Sequence, residues 1–526
     1  MIKSVRIENL RSLKDTGFVN IKPLTLLLGV NSSGKSTFLR SFPLFTQSIR
    51  KNLRGPISWV DESLVDFGDY QTSLNKEAKD NGENIRFSYI LSDIDTAENF
   101  QLYKKTFGAY NFPIPDLQGF NLEVSISFKD DKNGTFVNEI SVYDGRNTYK
   151  CSIENRDSDV DISIDGESIE TEQQYSWVYS LRNKVLPTFC IDVTDKNDGK
   201  VLLHKAYDFI CDYLNQRGGA DKKLLPQLLF AASKKKKDIL NFIANDFELS
   251  AFKEYVNKKG WTEDSEEFNT LYKYLKLYSL AKYIDVINAD VVFLYSSCSY
   301  VAPARAEANR FYRLQGLQVE DIDPYGKNLQ EFIASLSPKA LKSYQDYTLK
   351  VLGVKVKVKS ENGHQSILVS TENGEYNIAD VGFGYSQILP IVTKLWFLSN
   401  KESVVKGATF IDDEVFLVRK SELQVALIEQ PELHLHPAFQ AKIADSFVNA
   451  INTSTLPLML IAETHSDTIV NRIGRRIREG KIKKEDVNVV IFDKTDVDSN
   501  TVVRQLSFNG NGQIPDWPIG FFEPED

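Results

Sequence analysis

The chain has 526 residues, 42% of them apolar, and carries 63 Lys and Arg against 72 Asp and Glu for a net charge of −9. Its length supports a large core in about two to four compact units, and its acidic balance excludes generalised attraction to nucleic acid, so any DNA contact has to be local. Apolar stretches such as Leu24–Val30 and Leu456–Ala462 fall far short of the roughly 18–20 residues that span a bilayer, and Met1–Arg6 lacks the pattern of a signal peptide, so a cytoplasmic protein with no membrane contact is expected.

In chain order, Val5–Asn9 and Leu24–Leu28 read as short strands and Lys35–Ile49 as an apolar-periodic helix. Between the second strand and the helix, the run Gly29-Val30-Asn31-Ser32-Ser33-Gly34-Lys35-Ser36 fits the phosphate-loop pattern in full and in the right context. Glycines there let backbone amides approach an anion, and the helix N-terminus adds partial positive charge. Gly29, Asn31, Ser32, Ser33, Gly34, Lys35, Ser36 and Thr37 are therefore expected to hold ATP. Lys35 would reach the β and γ phosphates, and the Ser36 hydroxyl would ligate Mg2+. Gln47, late in the helix, reads as surface polarity, with a magnesium and water contact as its alternative.

From Ile85 to Ile164 apolar residues alternate, as in Leu122, Val124, Ile126 and Phe128, with turn residues at Asp131–Gly134, which predicts an antiparallel β layer. From about Lys200 to Ile287 the period lengthens to three and four, through Leu203, Ala206, Ile210, Tyr213 and Leu214 and later Leu275, Tyr278, Leu280 and Tyr283, which predicts a helical insertion. The run Lys234–Lys237 reads as a solvated helix face, with a nucleic-acid backbone contact as its alternative. The four cysteines, Cys151, Cys190, Cys211 and Cys298, are scattered, against both a disulfide framework and a zinc knuckle.

Val291–Tyr295 has strand character, and Val354, Val356 and Val358 lead through the turn Asn362-Gly363 to Ile367–Val369, a β-hairpin. Ser386–Leu398 is helical in pattern, whereas Val425–Ile428, Leu458–Ile461 and Val487–Phe492 are unbroken apolar runs of the kind that parallel strands make. No fixed-period repeat or sustained heptad is present. The expected class is α/β, divided into 1–190 with the phosphate loop and β subdomain, 191–289 as the helical insertion, and 290–526 as the remainder of the nucleotide fold.

The second half supplies the partners a phosphate loop needs. Val425–Glu429 is an apolar strand ending in a carboxylate, which makes Glu429 the second magnesium residue beside Ser36. Gln430-Pro431-Glu432-Leu433-His434-Leu435-His436-Pro437 follows it, and there Glu432, His434 and His436 have a metal-binding alternative. Gly384, Ser386 and Gln387, in the stretch Val381–Gln387 ahead of a helix, form a second anion site, or else a plain glycine turn. His465, in Ala462-Glu463-Thr464-His465-Ser466-Asp467, lies at a strand end.

These motifs, in this order, resemble the SMC-like and OLD-like ABC ATPases over residues 1 to about 60 and 290–526. The resemblance implies an ABC-type P-loop ATPase head whose signature loop, Gly384 to Gln387 here, caps the γ phosphate held by the opposite protomer, giving a homodimer or higher oligomer through a nucleotide sandwich. It makes His465 the switch histidine, and it gives Arg305, in Tyr300–Arg305, a phosphate- or DNA-contacting role beside that of a structural ion pair. The family's strand ends in two acidic residues, the second being the general base; here that position is Gln430. A glutamine orients water but accepts no proton, so hydrolysis is expected to be slow, with Glu432 the nearest substitute.

The Glu-Gln-Pro-Glu variant and the segment Asp516–Phe522 resemble the Septu ATPases of bacterial anti-phage operons. That implies an HNH nuclease as partner, in some systems with a reverse transcriptase and retron RNA–DNA. The stretch that follows His465 is too short for the Toprim nuclease of OLD proteins, so a nuclease is expected in trans. The other readings are a stand-alone DNA-repair ATPase and a nucleotide-binding scaffold without hydrolysis.

Overall fold

The run Leu24–Gly29 is apolar without alternation, as a strand covered on both faces must be, and all six of its residues are buried. It lies inside a six-stranded sheet ordered Cys298–Val301, Gln424–Glu429, Leu458–Glu463, Leu24–Gly29, Val487–Asp493, Val502–Leu506. The first five are parallel and the last is antiparallel. The computed structural model describes residues 2–51, 53, 55–92, 121–156, 158–169, 176–178, 188–190, 206, 209–210, 224–313, 319, 321–372, 374–400, 423–494, 500–515 and 517. They fall into two units, Met1–Arg6 with Ser48–Ser58 and Gly82–Phe293, and Ile7–Gln47 with Trp59–Asn81 and Leu294–Asp526.

The second unit carries the six-stranded sheet. One face of it, Leu24, Leu26, Leu28, Ala426, Ile428, Leu460 and Ala462, packs into a core with Ile388, Leu395, Phe447 and Ile469 of three covering helices. Those helices are Phe383–Ser399, Pro437–Thr453 and Asp467–Arg478. Each buried Leu or Ile contributes roughly 1.5–3 kcal/mol, so the core can carry charged residues at its strand ends. Local chemistry starts the helices where the sequence changes: Ser466 Oγ accepts from Ile469 N–H, and His436 Nδ1 accepts from Ala438 N–H. A smaller sheet holds the expected hairpin, Lys355–Glu361 against His364–Thr371. Asn362 and Gly363 between them both have positive φ, as a two-residue primed turn requires.

In the first unit, Ile85–Leu91, Leu122–Asp131, Gly134–Tyr143, Thr148–Ser152 and Asp161–Ile164 form the expected antiparallel layer. The α/β class, an ABC-type P-loop head with an antiparallel β subdomain and a helical insertion, is the fold observed. The helices of the insertion are Leu224–Ala232, Lys236–Asn245, Ser250–Lys259 and Glu266–Ser296. Asp144 ties sheet to helix, accepting from the Tyr149 and Tyr283 hydroxyls at 3.3 and 3.0 Å. Within Lys234–Lys237, Lys234 lies over the Phe230 ring at 4.1 Å and Lys236 pairs with Glu167 at 3.8 Å. Among the described residues no helix is long and apolar enough to cross a membrane.

Two expectations need correction. Val291–Tyr295 belongs to the helix Glu266–Ser296, and the strand begins at Cys298. β-branched residues disfavour a helix only weakly, and here burial of all five residues Val291–Tyr295 overrides that preference. Gln47 is 1% exposed, not a surface residue, and its Oε1 accepts from Val65 N–H at 3.2 Å. Leu203, Tyr213 and Leu214 lie outside the described residues, as does the segment Asp516–Phe522 apart from Trp517.

Candidate nucleotide site

The phosphate loop joins the strand Leu24–Gly29 to the helix Lys35–Arg50. Its bends require glycine: at Gly29 a Cβ would meet Phe492 O at 2.2 Å, and at Gly34 it would meet Leu13 Cδ2 at 2.5 Å, and both residues have positive φ. Val30, Asn31 and Ser32 form an exposed crown, with Ser32 in the left-handed region, whereas Ser33, Gly34, Lys35 and Thr37 are buried. The Ser33 carbonyl accepts from Thr501 Oγ1 at 2.8 Å, and its hydroxyl is buried without a partner among the described residues. Lys35 arches over the loop and donates to Gly29 O at 3.0 Å and Val30 O at 2.6 Å. Burial lowers its pKa against the pull of Glu463 and Glu432.

The acidic strand Gln424–Glu429 does not border the loop strand; Leu458–Glu463 lies between them and puts Glu463 in register with Glu429. Glu429, 1% exposed, accepts from Arg40 Nε at 2.9 Å and Nη2 at 2.6 Å and from the Tyr300 hydroxyl at 2.5 Å. Burial alone would lower the pKa of Arg40, but hydrogen bonding and charge from Glu429 outweigh it and raise it. Burial, with Glu429 beside it, raises the pKa of Tyr300.

Ser36, expected to share a metal with Glu429, instead donates its hydroxyl to Glu463 Oε1 at 2.8 Å. Glu463 Oε2 is buried with no partner among the described residues. Burial and then the charge of Glu429 push the Glu463 carboxyl up to about 7, with Ser36, Lys35 and Arg40 opposing. A hydroxyl and a carboxylate, one of whose oxygens is orphaned, are hard ligands that suit a divalent cation preferring oxygen, so the residues present fit magnesium.

After the acidic strand the chain turns sharply. Gln430 has positive φ and donates its backbone N–H to Glu463 O at 2.9 Å. Glu432 commits both carboxylate oxygens to the segment after the strand Leu458–Glu463, accepting from Thr464 Oγ1 at 2.7 Å and His465 N–H at 2.6 Å. Burial raises its pKa against those bonds and Arg305. His434 packs edge-on to Phe383 with ring centroids 5.6 Å apart and His436 caps a helix, and among the described residues no three His, Cys, Asp or Glu side chains are grouped to hold a metal. Burial and the charge of Lys35 lower the pKa of His465 to about 4, leaving it neutral at physiological pH.

Gly384, Ser386 and Gln387 lie in the first turns of the helix Phe383–Ser399, beside the exposed Phe383. Ser386 Oγ donates to Phe383 O at 2.6 Å, and Gln387 Nε2 donates to Arg305 O at 3.3 Å. Arg305, 5% exposed, donates Nη1 to Ala302 O at 3.3 Å and Nη2 to Gln430 O at 3.4 Å, and burial lowers its pKa to about 10 against Glu432. It thus links the loop after the acidic strand to the helix Phe383–Ser399.

The sequence reading missed Glu463, Arg40 and Tyr300 as members of this group. Leu458–Glu463 is itself an apolar strand ending in a carboxylate, the same signal that singled out Glu429. For Arg40 no local signal exists, because its partner is 389 positions away.

A phosphate loop on a buried parallel strand, an acidic strand one place removed and a neutral histidine just beyond the strand between define a P-loop ATPase head of the ABC type. Residues 1–470 match the AAA ATPase domain family, and the chain belongs to it. No curated protein matches the chain. Among solved structures it is similar to an Smc head domain with an extended coiled coil bound to the C-terminal domain of ScpA, from Pyrococcus furiosus, at 10% identity and TM-score 0.31 over 96% of each chain. It is likewise similar to an SmcHead bound to the C-winged helix domain of ScpA, at 11% identity and TM-score 0.32 over 96% of this chain and 97% of that one. The SMC head domain from Thermotoga maritima gives 8% identity and TM-score 0.30 over 97% and 99%.

Proposed function

We propose that this chain binds ATP with Mg2+ at the Gly29–Thr37 loop, hydrolyses it slowly, and uses nucleotide occupancy to restrain a partner nuclease in an anti-phage complex. The observation that carries the slow-ATPase reading is Gln430, which stands at the end of the buried acidic strand where the resembling family has a general base. The loop amides and the helix start would receive the phosphates. Lys35 would exchange its bonds to Gly29 O and Val30 O for phosphate oxygens, and neutral His465 would offer an N–H to the γ phosphate. Bound magnesium would supply charge neutralisation between phosphate oxygens. The exposed Phe383 at the start of the signature helix supports a nucleotide sandwich in which Gly384, Ser386 and Gln387 meet the partner's nucleotide.

The resemblance of the Glu429–Glu432 variant and of Asp516–Phe522 to the Septu ATPases supports an HNH nuclease as the partner, in some assemblies with a reverse transcriptase and its RNA–DNA. The test is purification of the tagged chain from its native operon, with mass analysis of bound proteins and of retained nucleotide. An HNH protein together with ATP is the expected result. A lone ATP-bound dimer would replace the defence reading with a DNA-repair ATPase, and a chain that retains no ATP and shows no affinity change in Lys35→Ala would overturn the nucleotide site.

A further inference from the structure

The acidic strand and its neighbour end side by side, Glu429 opposite Glu463 in register, yet their carboxylates are satisfied very differently. Glu429 has both oxygens in use, in a two-pronged bond to Arg40 and a third bond from Tyr300. To ligate a cation it would have to break a charge-assisted pair that fits the geometry of a guanidinium fork. Glu463 accepts one hydrogen bond, from Ser36, and its other oxygen is buried with no partner among the described residues. A buried carboxylate oxygen without a donor is costly to leave unmatched. A small hard cation relieves that cost, since magnesium binds through one or two carboxylates together with phosphates and waters. The phosphate-loop serine, whose hydroxyl magnesium sites of this kind use, already lies on Glu463 and not on Glu429.

We propose that Glu463, with Ser36, is the carboxylate that completes the magnesium site of this ATPase, while Glu429 acts with Arg40 and Tyr300 to brace the end of the acidic strand. This rests on the ATP and magnesium reading above and changes which strand supplies the ligand. The group that sequence spacing assigns to the metal becomes structural, and the neighbouring strand takes its place.

The experiment uses the full chain with Mn2+ in place of Mg2+ at saturating non-hydrolysable ATP analogue, reading metal binding by electron paramagnetic resonance and metal-free nucleotide binding by a fluorescent analogue. Glu463→Gln is expected to raise the apparent Mn2+ Kd at least about tenfold, while its metal-free nucleotide binding is unchanged or tighter because a negative charge near the phosphates is gone. Glu429→Gln should keep Mn2+ affinity within about threefold of wild type. Loss of Mn2+ in Glu429→Gln overturns the assignment, as does wild-type Mn2+ affinity in Glu463→Gln. Should Glu463→Gln not fold, Glu463→Asp, which keeps the charge but withdraws it by a methylene, is read in its place: weakened Mn2+ binding supports the assignment and wild-type binding overturns it. A wild-type chain that binds the analogue no better than Lys35→Ala overturns the ATP reading as well, whereas intact nucleotide binding with the wrong metal pattern overturns this assignment alone.

Discussion

Removing the Arg40 guanidinium tests how the end of the acidic strand is held. Arg40→Met keeps most of the aliphatic stem and deletes the fork, leaving Glu429 with Tyr300 as its remaining donor. Cutting one partner from a buried ion pair costs about 3–5 kcal/mol, chiefly because the other charge is stranded. Here the Glu429 side chain is 2% exposed but that of Arg40 is 34% exposed, so water reaches the cut end and Tyr300 still donates. Both lower the expectation to about 2–3 kcal/mol. The assay is urea unfolding of wild type, Arg40→Met, Glu429→Gln and the double variant, read as midpoint and slope. Because the double variant strands no charge, it should be more stable than the sum of the single losses by at least about 1 kcal/mol. A loss below about 0.5 kcal/mol in Arg40→Met, or a strictly additive cycle, would refute the reasoning.

A carboxyl raised from 4.5 to about 7 keeps its proton in the folded state where the unfolded chain has released it. The stability Glu463 confers is therefore full below the unfolded value and is lost as pH rises through the folded one, by up to about 3 kcal/mol. Urea midpoints of metal- and nucleotide-free protein across that window should decline less in Glu463→Gln, while the lowered pKa of His465 gives an opposite slope between about 4 and 6.5 that both proteins share. Gly29→Ala meets Phe492 O at 2.2 Å in a backbone region costly to side chains. It should lose at least about 1–3 kcal/mol in thermal melts together with nucleotide binding. Gln430→Glu should speed phosphate release by about a hundredfold, and no gain would place the base elsewhere. Glu432→Gln, whose parent carboxylate already accepts from Thr464 and His465, is its paired control and should gain nothing.

The phosphate loop was legible because its geometry is encoded in contiguous residues, two glycines at the bends and a lysine at the helix start. The buried strands were legible because a parallel sheet demands unbroken apolar runs, and the hairpin because Asn362-Gly363 suits two successive left-handed residues. Val291–Tyr295 was misread because β-branching is a weak preference that tertiary burial overrides. At the site, two apolar strands end in glutamate, and nothing local tells which carboxylate is free for a ligand. That is decided by Arg40 and Tyr300, 389 and 129 positions away from Glu429.

The same contacts bear on how nucleotide state would leave the site. The loop after the acidic strand is tied to the end of the strand Leu458–Glu463 by Gln430 N–H to Glu463 O and to the residues beyond it by the two bonds of Glu432 to Thr464 and His465. It is tied to the helix Phe383–Ser399 through Arg305, which donates to Gln430 O and whose carbonyl accepts from Gln387. Bonds to a charged group contribute about 1.5–3 kcal/mol each, so the Glu432 pair holds Thr464 and His465 with roughly 3–6 kcal/mol. Inverting a two-state population from about 1:99 to 99:1 needs about 5.5 kcal/mol. A γ phosphate that binds His465 differently in the two states would therefore have to supply a differential close to the strength of the Glu432 brace. Gln430 and His434, both with positive φ, flank that brace. Left-handed backbone at residues that carry side chains costs on the order of 1–3 kcal/mol each and persists only where surrounding contacts hold it, as the brace does here.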